Sequence, residues 1–145
     1  MSGSLSLVYL VFNTIMNLTS QAGQVRCFRN AADHLEPGGM FVVEVGVPDL
    51  RRLSPGQSHI VFRADETGWG VDEYDVVDQG LVSHHLERTE DGVREFSVPF
   101  RYVWPAELDL MAEMAGMRRV ERYADWQRSP FTAESRQHVS VWVND

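Results

Sequence analysis

The 145-residue sequence predicts an α/β fold that carries an antiparallel insert. A strand–helix–strand pattern fills roughly the first 50 residues, and segments of alternating apolar and polar residues follow it. A helix and two further strands complete the chain. The length predicts a single domain, with a βαβ core at 1–54, an insert at 55–104, and a last helix and terminal β hairpin at 105–145.

The first strand is predicted from LSLVYLVF at 5–12, which is apolar on both faces, as is typical of a buried parallel strand. The helix is predicted from QVRCFRNAADHL, with Thr19 or Ser20 as its N-cap. Apolar residues recur there at helical spacing, namely Val25, Phe28, Ala32 and Leu35.

EPGG ends this helix, and Gly38 and Gly39 are both available for positive φ. MFVVEVGV at 40–47 is the second apolar strand. A strand, a helix and a strand within so short a stretch form a right-handed crossover between parallel strands.

The insert is predicted from alternating segments, because alternation indicates one face packed and one face solvated. EDG at 90–92 is a hairpin turn between two of these segments. The segments are HIVFRA, GVDEYDVVD, LVSHHLERT and REFSVPFRYV.

The last part starts with Pro105 at the beginning of a helix that Gly116 ends. MRRVERYADW and HVSVWV follow as strands, joined by the loop QRSPFTAESR. The apolar stripe of the helix consists of Leu108, Met111, Ala112 and Ala115.

Composition excludes several functions. The net charge of -8 argues against binding to nucleic acid or to anionic membranes, since both need positive charge. All 13 basic residues are arginines, which excludes any mechanism that needs a lysine. The one cysteine, Cys27, forms no internal disulfide, so a reducing, cytoplasmic setting is expected, with Cys27 as a small buried residue. No basic region precedes the first apolar run, so no signal peptide is predicted.

These residues in this order resemble the C-terminal half of a class I S-adenosylmethionine-dependent methyltransferase, of the small-molecule or sugar N-methyltransferase kind. LSLVYLVFNTIMNL resembles the fourth strand and the loop after it, and CFRNAADHLEPGGMFVVEV resembles the next helix and the fifth strand. ELDLMAEMAGMRRVERYADW resembles the last helix and the sixth strand, and HVSVWV resembles the antiparallel seventh strand. The implied sheet is a partial Rossmann-like sheet in the order 4, 5, 7, 6.

The resemblance implies S-adenosylmethionine as cofactor and a small-molecule methyl acceptor. The family holds this cofactor with a Gly-rich turn after its first strand and an acidic residue after its second, and neither motif is present here. The Gly pair at Gly38–Gly39 ends a helix instead of opening one. We therefore expect methyl transfer that is incomplete in this chain alone. The alternative is a non-catalytic dimerisation or binding module.

The candidate cofactor contacts are Val11, Phe12 and Asn13, which the resemblance places beside the methionine end of the cofactor. Two alternatives stay open: Asn13 caps the start of the loop, and Phe12 packs in the core. Asn17 and Glu44 are the candidate contacts to the acceptor. The alternative for Asn17 is a role as a cap. The alternative for Glu44 is a strand-end carboxylate that pairs with an arginine or reaches water.

His84 and His85 are the candidate general bases, because an imidazole titrates near neutral pH. The alternative is that each of these histidines is a packed or a surface residue without a catalytic role. Adjacent residues of a strand face opposite sides, so the two imidazoles do not bind one metal ion. No His, Asp or Glu spacing resembles a metal site.

The first strand is expected to leave one apolar flank unpaired. In the family the fourth strand lies beside the first, which this chain lacks, so Leu5–Phe12 becomes an apolar sheet edge. Such an edge recruits another chain. We expect a homo-oligomer, a strand-exchanged dimer or pairing with a separate N-terminal partner.

Overall fold

The computed structural model describes residues 5–145, which form two compact units. The first unit extends to Pro48 and resumes at Val103–Asp145, and the second unit is Asp49–Tyr102. The predicted α/β class is confirmed, with helices and a mixed sheet in the first unit and an antiparallel sheet in the second.

The first unit contains four strands and two α-helices. They are β1 (Leu5–Leu10), α1 (Gln21–His34), β2 (Leu35–Gly46), α2 (Pro105–Met114), β7 (Met117–Tyr123) and β8 (Gln137–Asn144). The sheet order is β1-β2-β8-β7, with β1 parallel to β2 and with β8 antiparallel to both of its neighbours. A short 3-10 helix, Thr14–Asn17, connects β1 to α1.

Both α-helices pack on one face of this sheet because their apolar stripes meet alternate residues of the strands. On β2, Phe41, Val43 and Val45 are buried in the core, whereas Met40 lies on the opposite face and is exposed. The rings of Phe28, Phe41 and Trp142 pack together at the centre. Ser20 is the N-cap of α1 and accepts a hydrogen bond from the backbone N–H of Gly23 at 3.1 Å.

The first strand differs from its predicted form. It ends at Leu10 instead of Phe12, and Leu5, Leu7 and Tyr9 are exposed on it instead of buried. Its position at the edge of the described sheet is the predicted one. An apolar run on both faces is typical of a central strand, and here only one flank of that run is paired within the described residues.

The Pro-Gly-Gly turn also differs in detail. Gly38 has a positive φ of 82°, as expected, but Gly39 has none. Gly39 is instead needed for close approach, since a Cβ there would lie 3.0 Å from the backbone oxygen of Leu5. The strand β2 starts at Leu35 instead of Met40 because Leu5 already pairs with Leu35.

The second unit is a four-stranded antiparallel sheet. Its strands are β3 (His59–Asp65), β4 (Gly68–Asp75), β5 (Gly80–Thr89) and β6 (Gly92–Arg101), paired in chain order. Thr89 pairs with Gly92, so the turn between β5 and β6 is the predicted one. No helix among the described residues is long and apolar enough to cross a membrane.

Candidate functional site

The candidate site lies in the first unit, where the parallel strands β1 and β2 end. Phe12 and Asn13 lie one residue beyond the end of β1, after Val11, and both have positive φ, 55° and 59°. A left-handed conformation costs a residue with a Cβ about 1–2 kcal/mol, and most for a bulky side chain such as that of Phe12. Two such residues in succession mark a backbone that its surroundings hold in place.

Hydrogen bonds to β2 hold this turn. The backbone N–H of Phe12 donates to Glu44 Oε2 at 3.1 Å, and that of Asn13 donates to the Glu44 carbonyl at 3.3 Å. Asn13 Oδ1 accepts from the backbone N–H of Gly46 at 2.6 Å. The Thr14 hydroxyl also donates to the Val11 carbonyl. The Phe12–Asn13 turn is thereby fixed against the end of the neighbouring strand.

The structure shows how each of these residues is used. The Asn13 side chain does not cap its own 3-10 helix, and its Oδ1 instead accepts from the backbone of β2. Phe12 is 85% exposed, so it is not a core residue. Val11 is half-buried, and Asn17 is exposed at the end of the 3-10 helix.

Glu44 has partners that the sequence did not suggest. Instead of an arginine, its carboxylate accepts from the Phe12 N–H and from the indole Nε1 of Trp126, the latter at 2.9 Å. Trp126 follows β7, and no sequence pattern connects it with a residue 82 positions away. The structure thus brings Phe12, Asn13 and Glu44 together and adds Trp126 to them.

His84 and His85 lie on β5 of the second unit. His84 is hydrogen-bonded to Ser97 at 2.8 Å and to Glu73 at 3.0 Å. His85 is 3.0 Å from Ser83 and stacks on the ring of Phe96. Each imidazole thus has side-chain partners within its own sheet.

No metal centre emerges from the described part of the chain, where no group of three or more His, Cys, Asp or Glu side chains could hold an ion.

The mixed sheet, with helices on one face and a strained turn at the carboxyl ends of its parallel strands, is typical of α/β proteins that bind ligands at that edge. Among solved structures, the CcbJ methyltransferase from Streptomyces caelestis is 42% identical, covers 96% of this chain and superposes with a TM-score of 0.82. The chain is homologous to S-adenosylmethionine-dependent methyltransferases, as the resemblance predicted.

Two further solved structures share the fold. An S-adenosylmethionine-dependent methyltransferase from Clostridium acetobutylicum has a TM-score of 0.73 at 11% identity, over 99% of this chain and 59% of its own. CalS10, an amino pentose methyltransferase from Micromonospora echinaspora with S-adenosylmethionine bound, has a TM-score of 0.64 at 20% identity, over 100% of this chain and 60% of its own.

This chain spans only part of the length of these proteins, 57% in the case of CcbJ. No protein-family model matches the sequence, and a comparison with curated proteins gave no match. The structural neighbours do not favour the alternative of a non-catalytic module.

Proposed function

We propose that this chain is the part of an S-adenosylmethionine-dependent methyltransferase that lies beside the transferred methyl group and its acceptor. The observation that carries the proposal is the strained Phe12–Asn13 turn, which is bonded to Glu44 at the carboxyl ends of two parallel strands. The observed order β1-β2-β8-β7 supports a correspondence with family strands 4, 5, 7 and 6. The sheet of the second unit would be the family's insert.

The chemistry of the site fits the cofactor. When bound, S-adenosylmethionine supplies a methyl group from a positively charged sulfonium. An exposed aromatic ring and a carboxylate both attract cations, and Phe12 of the turn and Glu44 of β2, which are hydrogen-bonded to each other, provide them. Val11, Phe12 and Asn13 would hold the methionine end. The Gly-rich turn that holds the remainder in the family is absent from this sequence, so binding by this chain alone would be weak.

The residues of the site would act mainly by orientation, because holding donor and acceptor in line removes much of the entropic barrier to transfer. Glu44 would accept a hydrogen bond from the acceptor amine and so direct the nitrogen lone pair, and Asn17 would contact the acceptor from the 3-10 helix. Each Glu44 oxygen accepts one N–H, so lone pairs remain for this bond. His84 and His85 remain candidates for the general base.

A small molecule is the proposed acceptor. The acidic chain disfavours nucleic acid, and the neighbour CalS10 acts on an amino pentose. An amine acceptor also agrees with a carboxylate at the site. The single cysteine is compatible with a reducing, cytoplasmic setting, which stays a prediction.

The test is a titration of the 15N-labelled chain with S-adenosylhomocysteine, followed by NMR. We expect a dissociation constant of about 1 mM and chemical-shift changes confined to the amides around Phe12 and Asn13. Adenosine alone should cause none of these shifts, because the cofactor's adenosine end would have no site in this chain.

Phe12→Ala should weaken this binding about tenfold, the loss expected for one buried aromatic contact. The matched control is Val77→Ala in the second unit, since Phe12 and Val77 are each 85% exposed and neither truncation disturbs a core. Binding that is unchanged in Phe12→Ala, or no shift at all in the folded wild-type chain, would contradict the proposed function.

We further infer that the β1 edge pairs with a strand of another chain. Leu5, Leu7 and Tyr9 are exposed there, and an apolar edge with unpaired backbone groups is a template for strand addition. A second copy, a strand-exchanged copy and a separate N-terminal partner all fit this edge.

Light scattering after size-exclusion chromatography should therefore show a dimer of the isolated chain, and Leu7→Lys should convert it to a monomer, because charge on an edge strand opposes pairing. Leu110→Lys is the control, because the Leu110 side chain on α2 is 56% exposed and that of Leu7 is similarly exposed, at 47%. A wild-type chain that stays monomeric at high concentration would rule out self-pairing.

A further inference from the structure

The carboxylate of Glu44 is fixed at both oxygens by donors from two other segments of the first unit. Oε2 accepts from the backbone of Phe12 at 3.1 Å, and Oε1 accepts from the indole of Trp126 at 2.9 Å. A carboxylate held by one oxygen can still rotate about its terminal torsion, which is broad. With both oxygens bonded, its plane has one orientation.

The loop that supplies Trp126 is itself ordered. Asp125 Oδ1 accepts backbone N–H bonds from Gln127 at 2.9 Å and from Ser129 at 3.1 Å. The indole lines a groove of about 220 Å³ together with Met40 and Val42, on the sheet face opposite to the helices. The bonded turn at Asp125 therefore locates Trp126 at this groove, beside Glu44.

This arrangement connects an exposed loop to the strained turn. The bond from Phe12 N–H to Glu44 helps to keep Phe12 at its positive φ, and Glu44 keeps its direction through Trp126. Loss of the indole N–H would free Oε1 while the core of the unit stays intact, because Trp126 is 52% exposed.

We propose that Trp126 is a positioning residue, which acts through Glu44 to hold the Phe12–Asn13 turn in its ligand-binding conformation. The inference rests on the proposed function, because the turn is the part of the site that would meet the methyl donor. Trp126 touches neither the donor nor the acceptor in this role.

The experiment compares wild type with Trp126→Phe, which keeps an aromatic ring and removes only the N–H donor. Hydrogen exchange at the Phe12 amide should become about fivefold faster, and binding of S-adenosylhomocysteine should weaken about fivefold, the effect of one ordinary hydrogen bond. Trp69→Phe is the control, because Trp69 is also partly exposed and lies on β4 of the second unit.

A double-mutant cycle separates positioning from simple loss of stability. In a Glu44→Ala background, Trp126→Phe should change neither measured quantity, since the indole then has no carboxylate to orient. Global stability by urea unfolding should differ little between the two tryptophan variants. A role in stability alone would give additive losses.

The outcomes are distinguishable. Unchanged Phe12 exchange in Trp126→Phe overturns the positioning role, even if wild-type binding supports the proposed function. Additive effects in the cycle overturn it as well. Faster exchange together with no response of the wild-type chain to S-adenosylhomocysteine contradicts the proposed function, and the ligand-related role of Trp126 with it.

Discussion

Asp109→Ala is expected to destabilise the protein by about 3–5 kcal/mol, the cost of leaving a buried cation without its partner. The side chain of Arg122 is only 9% exposed and bonds Asp109 through both terminal nitrogens, at 2.8 and 3.1 Å. The fully buried Trp142 donates its indole N–H to the same carboxylate at 3.1 Å. Removal of Asp109 therefore leaves the Arg122 charge without its carboxylate and the Trp142 N–H without this acceptor. Within the described residues, Arg122 then keeps only neutral acceptors, Ser140 Oγ and the Pro105 carbonyl.

Urea unfolding of wild type and Asp109→Ala measures this effect. The control is Asp145→Ala, because Asp145 pairs with Arg118 at 3.2 Å where both side chains are well exposed, 58% and 62%. An exposed pair contributes less than about 1 kcal/mol. Equal losses in the two variants would show that the Asp109–Arg122 pair is not a buried pair in solution.

The second large effect is a dependence of stability on pH that arises from His138. Its side chain is fully buried, and burial lowers its pKa to about 4, assisted by the positive charge of Arg122. Ser140 Oγ lies 2.7 Å from His138 Nδ1, and Nε2 has no hydrogen-bond partner among residues 5–145. The folded chain therefore keeps this imidazole neutral.

The sign follows from the two pKa values. As pH falls below about 6.5, the unfolded chain binds a proton at His138 and the folded chain does not, so stability decreases until the folded pKa near 4 is reached. Between pH 7 and pH 4.5 the loss from this residue is about 2–3 kcal/mol.

His138→Gln should remove this part of the pH dependence, although it costs stability at both pH values. Urea unfolding at pH 7 and pH 4.5 gives the change in the free energy of unfolding for wild type and for His138→Gln. Carboxylates that titrate in this range affect the two proteins equally. His34→Gln is the control, since His34 is exposed at the end of α1. A His138→Gln chain that loses as much stability in acid as wild type would refute this assignment.

Much of the fold was predictable because it depends on local patterns. Helical spacing located α1 and α2, including the buried Phe28 and Leu108, and alternation located the strands of the second unit. The differences concern boundaries, such as the end of β1 at Leu10, the exposure of β1 and the conformation of Gly39. Boundaries depend on which residues find partners across the sheet, and periodicity does not report this.

The candidate site was predictable only in part. Val11, Phe12 and Asn13 were proposed from the resemblance, at the carboxyl end of the first strand, and Glu44 because a carboxylate is unusual within an apolar strand. The positive φ of Phe12 and the Trp126–Glu44 bond were not foreseen. Both depend on contacts between segments that are far apart in the chain.

The sequence by itself determined the class of the protein, because the order of its strands, helices and turns follows from local hydrophobic periodicity and from residues such as Gly38. Only the tertiary structure decided which polar groups meet. The Glu44–Trp126 pair forms because the fold brings the loop after β7 to β2, and the Asp109–Arg122 pair forms because α2 packs beside β7. Their strength depends on burial, which is a property of the packed chain and not of any local segment.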